Sequence, residues 1–501
     1  MTLFGTKAAA SGDGALQPRL STLSTMAMAF AILNTWIALA GSIGLVLPSG
    51  SSVALLYGFI FCVLCCFCVA ASLGELSSIW PTAGGQYHFV YALCTERWRK
   101  PVVDNLAQFI SAAAVVASNG AYQITAARTY GIFVAVLVFT TVANIWGNKI
   151  LGKWNDAALY WSLFGVVIIS IVLLSMSDKT SAEFVFTDFN NETGWSDGMA
   201  WILGLLQSAL SLIAFDVVLH MTEEMPNPAR DAPRAMLYSI VIGGVTGFAF
   251  ILVMLFCLVD ADTVLATPTG MPIVELILQA TKSRAAATIL SLMLSVCFIN
   301  GTNASITSVS RLLYAMARDR GIVFHNYFAH IQSGLNVPVR TIMFCFVFNI
   351  LFGLLYLGPV VAFSAYVASC TIFLNVSYAI PIIILLIRGR KVLDHYQTAK
   401  TPFKLGRTFG LLLNIIGALY VVVTSVFFCF PTFLPVTGNN MNYVCVVIGI
   451  FGIVVGIYWF FYGKTFLGPQ DLVMADFEDV VGRPVSTQGS SEEDRAEKGA
   501  K

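Results

Sequence analysis

Apolar residues come in long runs along this chain, and the runs recur from end to end. A helix needs about 20 apolar residues to cross a hydrocarbon core of roughly 30 Å. Twelve such stretches are predicted, near residues 24–47, 53–79, 102–125, 129–147, 157–176, 198–221, 236–259, 285–316, 340–357, 360–387, 408–430 and 442–462. They are called spans 1 to 12 below. Each is predicted to be helical, because lipid offers no partner to the N–H and C=O groups of an open strand edge. The expected fold class is all-α and integral to the membrane. Residues 1–22 form a tail rich in Gly, Ala and Ser without the apolar core of a cleavable signal peptide. Residues 466–501 end in SEEDRAEKGAK and are expected to be a solvated, disordered tail.

Composition agrees with the pattern. The 501 residues are 57% hydrophobic and 11% charged, with a mean hydropathy of +0.79. A soluble domain carries about 25% charged residues, so a soluble globular class is excluded. The net charge of +1 gives no reason to expect a nucleic acid partner. The placement of Lys and Arg is more informative. With the N-terminus inside, segments 95–101, 147–156, 222–238, 311–340 and 388–408 hold seventeen of them, against four in the opposite loops. Both termini are therefore expected to be cytosolic, and the plasma membrane is the expected location.

The outer loops carry two secondary features. Ser177–Gly198 contains the sequon Asn191-Glu192-Thr193, a candidate glycosylation site. The stretch MPIVELILQA, within 260–284, is too short to span and is expected to lie as a helix over the outer mouth. The eleven cysteines fall almost entirely within spans, with Cys62, Cys65, Cys66 and Cys68 clustered in span 2. No His or carboxylate converges on that cluster, so small apolar filling of a helix face is favoured over a metal or redox site. Gly452 and Gly456 of span 12 suit either a dimer contact or close packing within the chain.

Two spans are interrupted by polar residues. Span 1 contains AILNTWIALAGSIGLVLPSGSS, and span 6 contains QSALSLIAFD. Such residues can serve close helix packing, or they can mark a helix break that lines a cavity. Interruptions at matching positions five spans apart favour the second reading, since paired broken helices in two halves form a transporter's substrate site. Asp216 stands out within span 6. A carboxyl near mid-membrane costs about 2.5–3.5 kcal/mol on insertion scales, and such groups face cavities or partners.

Three segments carry a family likeness: LGELSSIWPTAGGQYHFVYAL (Leu73–Leu93), EEMPNPARDAPRAM (Glu223–Met236) and SVSRLLYAMARDRG (Ser308–Gly321). In combination they resemble the signatures of the amino acid–polyamine–organocation transporters. The branch is similar to the fungal amino acid/choline permeases, which carry γ-aminobutyrate and choline among other substrates. The resemblance covers residues 20–465. It implies a leucine-transporter-type core of two inverted five-helix repeats within 23–465, about 24–176 and 198–387, with spans 11 and 12 added at 408–462. It also implies secondary active transport by alternating access. The connection NGAYQITAARTYGIF departs from the family, being about twenty residues shorter than usual.

The resemblance also implies a site. The family's span-1 break corresponds to Asn34, Thr35 and Trp36, where exposed backbone N–H groups and a half-helix dipole can hold a carboxylate. The span-6 break corresponds to Ser211–Asp216. Its carbonyls suit an ammonium, and Phe215 can serve as a gate or cation–π face. Span 8 offers Asn303 first and Asn300 second; span 3 offers Asn119 and Tyr122, and span 10 Ser369 and Asn375. Relatives often hold an acid just after the break, which assigns proton coupling to Asp216. His220 lies one turn below it. No buried basic residue is found in span 5, where some relatives use one in place of a coupling ion. Glu75 is expected to be structural. Glu223 and Glu224 are expected to pair with Arg230, Arg234 or Arg311 and close an inner gate.

These readings point to a proton-coupled permease of a small amine, amino acid or related cation, with no cofactor and no metal. A transporter of a specialised metabolite or vitamin precursor is the alternative. An enzyme is excluded because no cluster of His, Asp or Cys converges at the membrane surface. Two aligned helix breaks disfavour a receptor or channel.

Overall fold

The computed structural model describes residues 16, 18–86, 88–89, 106–118, 122–267, 269–358, 360–438 and 440–463. Most of both tails, the 95–101 loop and Asn119 lie outside these residues. Among the described residues all regular structure is helical, apart from two isolated bridges, Ser49 with Asn191 and Gln332 with Val337. Nine segments among them are long and apolar enough to cross a membrane. One of the nine, Ala126–Met176, has 51 residues. At 1.5 Å per residue it would measure about 75 Å, far beyond one crossing. The 3-10 stretch Gly147–Ile150 divides it into spans 4 and 5. Span 3 (Leu106–Ala117) and the broken span 6 fall outside the nine and complete the twelve.

Span 7 (Pro228–Cys257) packs most heavily against span 2 (Ser51–Ile79) and against span 1. Small residues permit this approach. A Cβ at Gly243 would lie 2.6 Å from the Thr35 hydroxyl, and one at Gly247 would lie 2.7 Å from Phe59. The outward faces are apolar instead of charged. Phe164, Val167 and Ile171 of span 5 and Ile453 and Phe460 of span 12 are all exposed, as lipid contact requires. Span 12 (Val444–Tyr462) is peripheral, with only 6% of its window buried. Among the described residues nothing lies within 4 Å of where a Cβ would stand at Gly452 or Gly456. Cys62 and Cys66 do pack inside, against the Leu205 carbonyl and the Tyr420 hydroxyl.

The loops sort to two ends. At one end the span 5–6 loop meets the turn after span 1, with Glu192 N–H donating to the Pro48 carbonyl at 2.9 Å. It also meets the span 11–12 loop, with Leu434 N–H donating to the Thr193 carbonyl at 2.7 Å and Trp195 Nε1 to the Pro431 carbonyl at 3.0 Å. The short apolar stretch forms the helix Pro272–Thr281, packed over the second half of span 1 and the start of span 8. At the other end Arg19 and Leu20 donate backbone N–H to the Glu224 carbonyl. A cysteine placed at position 190 should react with a membrane-impermeant maleimide in intact cells, above the unsubstituted chain. Reaction only after permeabilisation would reverse the orientation expected from the charge asymmetry.

Asn191 is committed within its loop. Its Nδ2 donates to the Trp195 carbonyl at 2.8 Å and to Asp197 Oδ1 at 3.0 Å, and its Oδ1 accepts from the buried Thr193 hydroxyl at 2.6 Å. A glycan on Nδ2 would replace one of those two hydrogens and leave the other to bond.

Candidate functional site

Span 1 is interrupted at one residue. Asn34 ends the helix Thr22–Leu33 and starts Thr35–Val46, with φ 46° and ψ 37°. That left-handed geometry is one Asn tolerates better than other residues with a Cβ. Span 6 is interrupted over six, Ser211–Asp216, between Asp197–Leu210 and Val217–His220. Ala214 within it has φ 71°. The two breaks meet where the buried Thr35 hydroxyl donates to the Ser211 carbonyl at 3.0 Å.

Asp216 lies at the end of the second break and is buried. Its Oδ1 accepts from Tyr378 Oη at 2.6 Å, and its Oδ2 accepts from Gln86 Nε2 at 2.6 Å. His220 Nε2 stands 3.5 Å from Oδ2. His220 Nδ1 lies 3.1 Å from the Ala83 carbonyl, an acceptor only, so this nitrogen carries a hydrogen. Tyr378, on span 10 (Val360–Arg388), also accepts the Ala214 N–H at 3.0 Å, and its ring centroid lies 5.0 Å from that of Phe215. Neither Tyr378 nor Gln86 was anticipated as a site residue. The only sequence clue is that a buried phenol needs a partner for its hydroxyl.

Several expected contacts take other roles. Trp36 is fully buried; its indole N–H donates to Ser162 Oγ of span 5 at 2.9 Å and its ring packs edge-on to Phe250. Thr35 is held by Ser211 and the span-7 glycines. Asn303 Oδ1 accepts from Asn144 Nδ2 of span 4 at 2.9 Å, and Thr307 donates to Asn144 Oδ1 at 2.6 Å. Asn303 therefore ties span 8 to span 4 and does not face the break. Ser211 Oγ donates to the Ser208 carbonyl. Tyr122 lies in the connection after span 3, with the Arg128 guanidinium 5.3 Å above its ring. Other polar groups stay open. Asn34 Nδ2, Ser208 Oγ, Thr371 Oγ1 and Asn375 Nδ2 are buried with no partner among the described residues. Thr371, Asn375 and Tyr378 share one face of span 10 by their spacing. Asn300 is buried beside Gly301, where a Cβ would come within 2.7 Å of the Ala31 carbonyl, one turn before the first break.

Charges gather at the opposite end from the Asn191 loop. Glu224 and Arg311 are both buried, with Arg311 Nε 2.9 Å from Glu224 Oε1. The guanidinium also reaches Ser310 and Asn148 Oδ1. Glu223 pairs with Arg318 at 2.8 Å, and His88 with Asp319 at 2.8 Å. Of the three arginines expected to pair with Glu223 and Glu224, Arg311 does so, whereas Arg230 and Arg234 are exposed and form no such pair among the described residues. Their helix turns them to solvent, while span 8 carries Arg311 and Arg318 inward. Glu75 is structural, as expected: Arg390 lies 2.6 Å from it, and Gln397 and the Leu405 N–H also donate to it.

A many-spanned helical membrane protein with two touching helix breaks and a buried acid at one of them has the architecture of a permease. The family model described as amino acid permease matches residues 20–451, and the chain belongs to that family. It is 33% identical to the choline transporter of Saccharomyces cerevisiae, over 91% of this chain and 83% of that protein. It is 25% identical to the GABA-specific permease of the same yeast, over 94% and 86%. It is 29% identical to a swainsonine transporter of Arthroderma benhamiae, over 89% and 91%. The chain is accordingly a membrane permease of the amino acid and amine class, and not an enzyme.

Proposed function

We propose that this permease imports a small amine, amino acid or related cation across the plasma membrane, driven by protons and working by alternating access. The observation that carries the reading is Asp216, a titratable carboxyl buried at the end of the span-6 break and held by Tyr378 and Gln86, with His220 3.5 Å away. An intramembrane acid with named partners at a helix break is a natural place for a proton to be taken up and released. Both carboxylate oxygens are already bonded within the chain, so Asp216 acts as the proton site and not as a fixed counter-charge for the substrate. The substrate's polar groups are assigned to Asn34, the start of Thr35–Val46 and the open groups on span 10. Phe215 walls the pocket. Glu224–Arg311, backed by Glu223–Arg318, is assigned to the inner gate.

Purified protein in liposomes with an inward proton gradient should accumulate at least one member of a radiolabelled panel of choline, γ-aminobutyrate, amino acids and polyamines. Collapse of the gradient by a protonophore should abolish the accumulation. Gradient-independent equilibration of every substrate would defeat the coupling. A bicyclic amine such as swainsonine belongs in the panel, since one relative carries it. Its preferential accumulation would favour the specialised-metabolite reading.

Two asparagines separate pocket from scaffold. Asn34→Ala should raise KM about tenfold, the effect of losing a buried hydrogen bond of roughly 1–2 kcal/mol. Asn303→Ala should leave KM within twofold and lower the melting temperature instead. The reverse pattern would return Asn303 to the pocket.

A further inference from the structure

Three successive residues of the span-6 break are held by one side chain. Tyr378 Oη accepts the Ala214 N–H at 3.0 Å and donates to Asp216 Oδ1 at 2.6 Å, while its ring lies tilted against Phe215. A phenol has a single hydrogen. With Ala214 supplying its own, that hydrogen can only go to the carboxylate, and the bond is charge-assisted while Asp216 is ionised. Tyr378 also joins two packing groups. Span 10 packs mainly on spans 11 and 12, whereas the break lies against span 1 through Thr35.

We propose that Tyr378 is a positioning residue that latches the span-6 break to span 10 while Asp216 is ionised and loosens when Asp216 takes up a proton. The inference rests on the assignment of Asp216 as the proton site. Protonation turns a charge-assisted bond into a neutral one of about half the strength. A proton on Oδ1 also competes with the tyrosine's hydrogen for the same short gap. Oη also accepts the Ala214 N–H, so a shift of the tyrosine away from Asp216 loosens the hold on the backbone at Ala214 as well. Ala214 at φ 71° is a strained position held only by its surroundings. Release of the latch therefore favours movement of the break, the step that alternating access needs.

The other titratable groups around the pair are known. His220 faces Asp216 from its own helix at 3.5 Å. Cys66 of span 2 lies on the far side of Tyr378 and is bonded to Tyr420 of span 11 at 3.7 Å. Gln86 contributes a neutral amide. The tyrosine hydrogen is thus one of few donors that distinguish the ionised carboxyl from the neutral one.

The test uses the full-length protein in liposomes and the panel substrate that wild type accumulates. Tyr378→Phe keeps the ring beside Phe215 and removes only Oη. It should move the pH at half-maximal accumulation upward by about one unit, roughly tenfold in proton concentration, because the ionised carboxyl loses a donor. Counterflow, which uses the same movement of the break, should persist and depend less on pH than in the wild type. Replacing Tyr378 with 3,5-difluorotyrosine, a stronger donor of the same shape, should move the midpoint the other way and covers the case in which the Phe variant does not fold. In an Asp216→Asn background, Tyr378→Phe should change the pH profile no further. An unmoved midpoint in both tyrosine variants, while Asp216→Asn abolishes pH dependence, would overturn the latch and leave the proton site standing. So would an equal loss of counterflow and accumulation without a shift. Persistent pH-dependent accumulation by Asp216→Asn would remove the proton site, and the latch with it.

Discussion

Asp216→Asn should lose proton-driven accumulation entirely while retaining counterflow of the same substrate. Asparagine keeps the shape of the side chain and can still accept from Tyr378 and bond Gln86, but as a neutral group it mimics the protonated carboxyl, so the break should stay folded with its latch loosened. What it loses is the exchangeable proton. Substrate then moves down its own gradient in either direction, but nothing ties that movement to the proton gradient. Both modes should be measured in liposomes across an external pH of about 5 to 8, where the neutral side chain should give a flat profile in place of the wild-type slope. A fall in counterflow equal to the fall in accumulation would instead make Asp216 part of substrate binding. Concentrative, pH-dependent uptake by the variant would end the proposed role.

Arg311→Met should be the most damaging single change among the charges at the end opposite the Asn191 loop. It leaves the buried carboxylate of Glu224 without its cation, and Ser310 Oγ and Asn148 Oδ1 without the guanidinium that donates to them. Breaking a buried pair from one side costs about 3–5 kcal/mol, because the remaining charge stays desolvated and unpaired. The folded yield and the melting temperature by fluorescence-detected size exclusion should both fall sharply. Glu224→Gln combined with Arg311→Met should recover most of the loss, since no bare charge then remains. If the double variant is no more stable than the single one, the damage lies in lost packing around the guanidinium. The exposed Arg230 provides the contrast: Arg230→Met should change stability by less than about 0.5 kcal/mol.

Much of the architecture was legible in the order of residues alone. Twelve apolar runs, the helix over the mouth and both interruptions could be read there because the membrane is a uniform solvent. In lipid, run length and a polar residue within a run carry meaning before any neighbour is known. The family resemblance places the first break near Asn34, Thr35 and Trp36, and the structure narrows it to Asn34, the residue there best able to turn left-handed. The span-6 break between Leu210 and Val217 follows from Ser211 and Asp216 standing in an apolar run.

Which polar groups meet is a different kind of information. Sequence spacing relates residues only within a helix, and the partners here lie far apart in the chain. Asp216 meets Tyr378 and Gln86, Asn303 meets Asn144, and Trp36 meets Ser162. Rotation of each helix about its axis decides these pairings. That rotation is set by close contacts such as Gly243 against Thr35, which no single segment encodes. The sequence by itself thus determined a membrane permease with two broken helices and an acid at one of them. Only the tertiary structure decided that Trp36 bonds Ser162 and Asn303 bonds Asn144, that Arg311 pairs with Glu224, and that a tyrosine from span 10 bonds the acid. A helix crossing answers to the lipid around it, whereas a hydrogen bond between two crossings answers to how they turn toward each other.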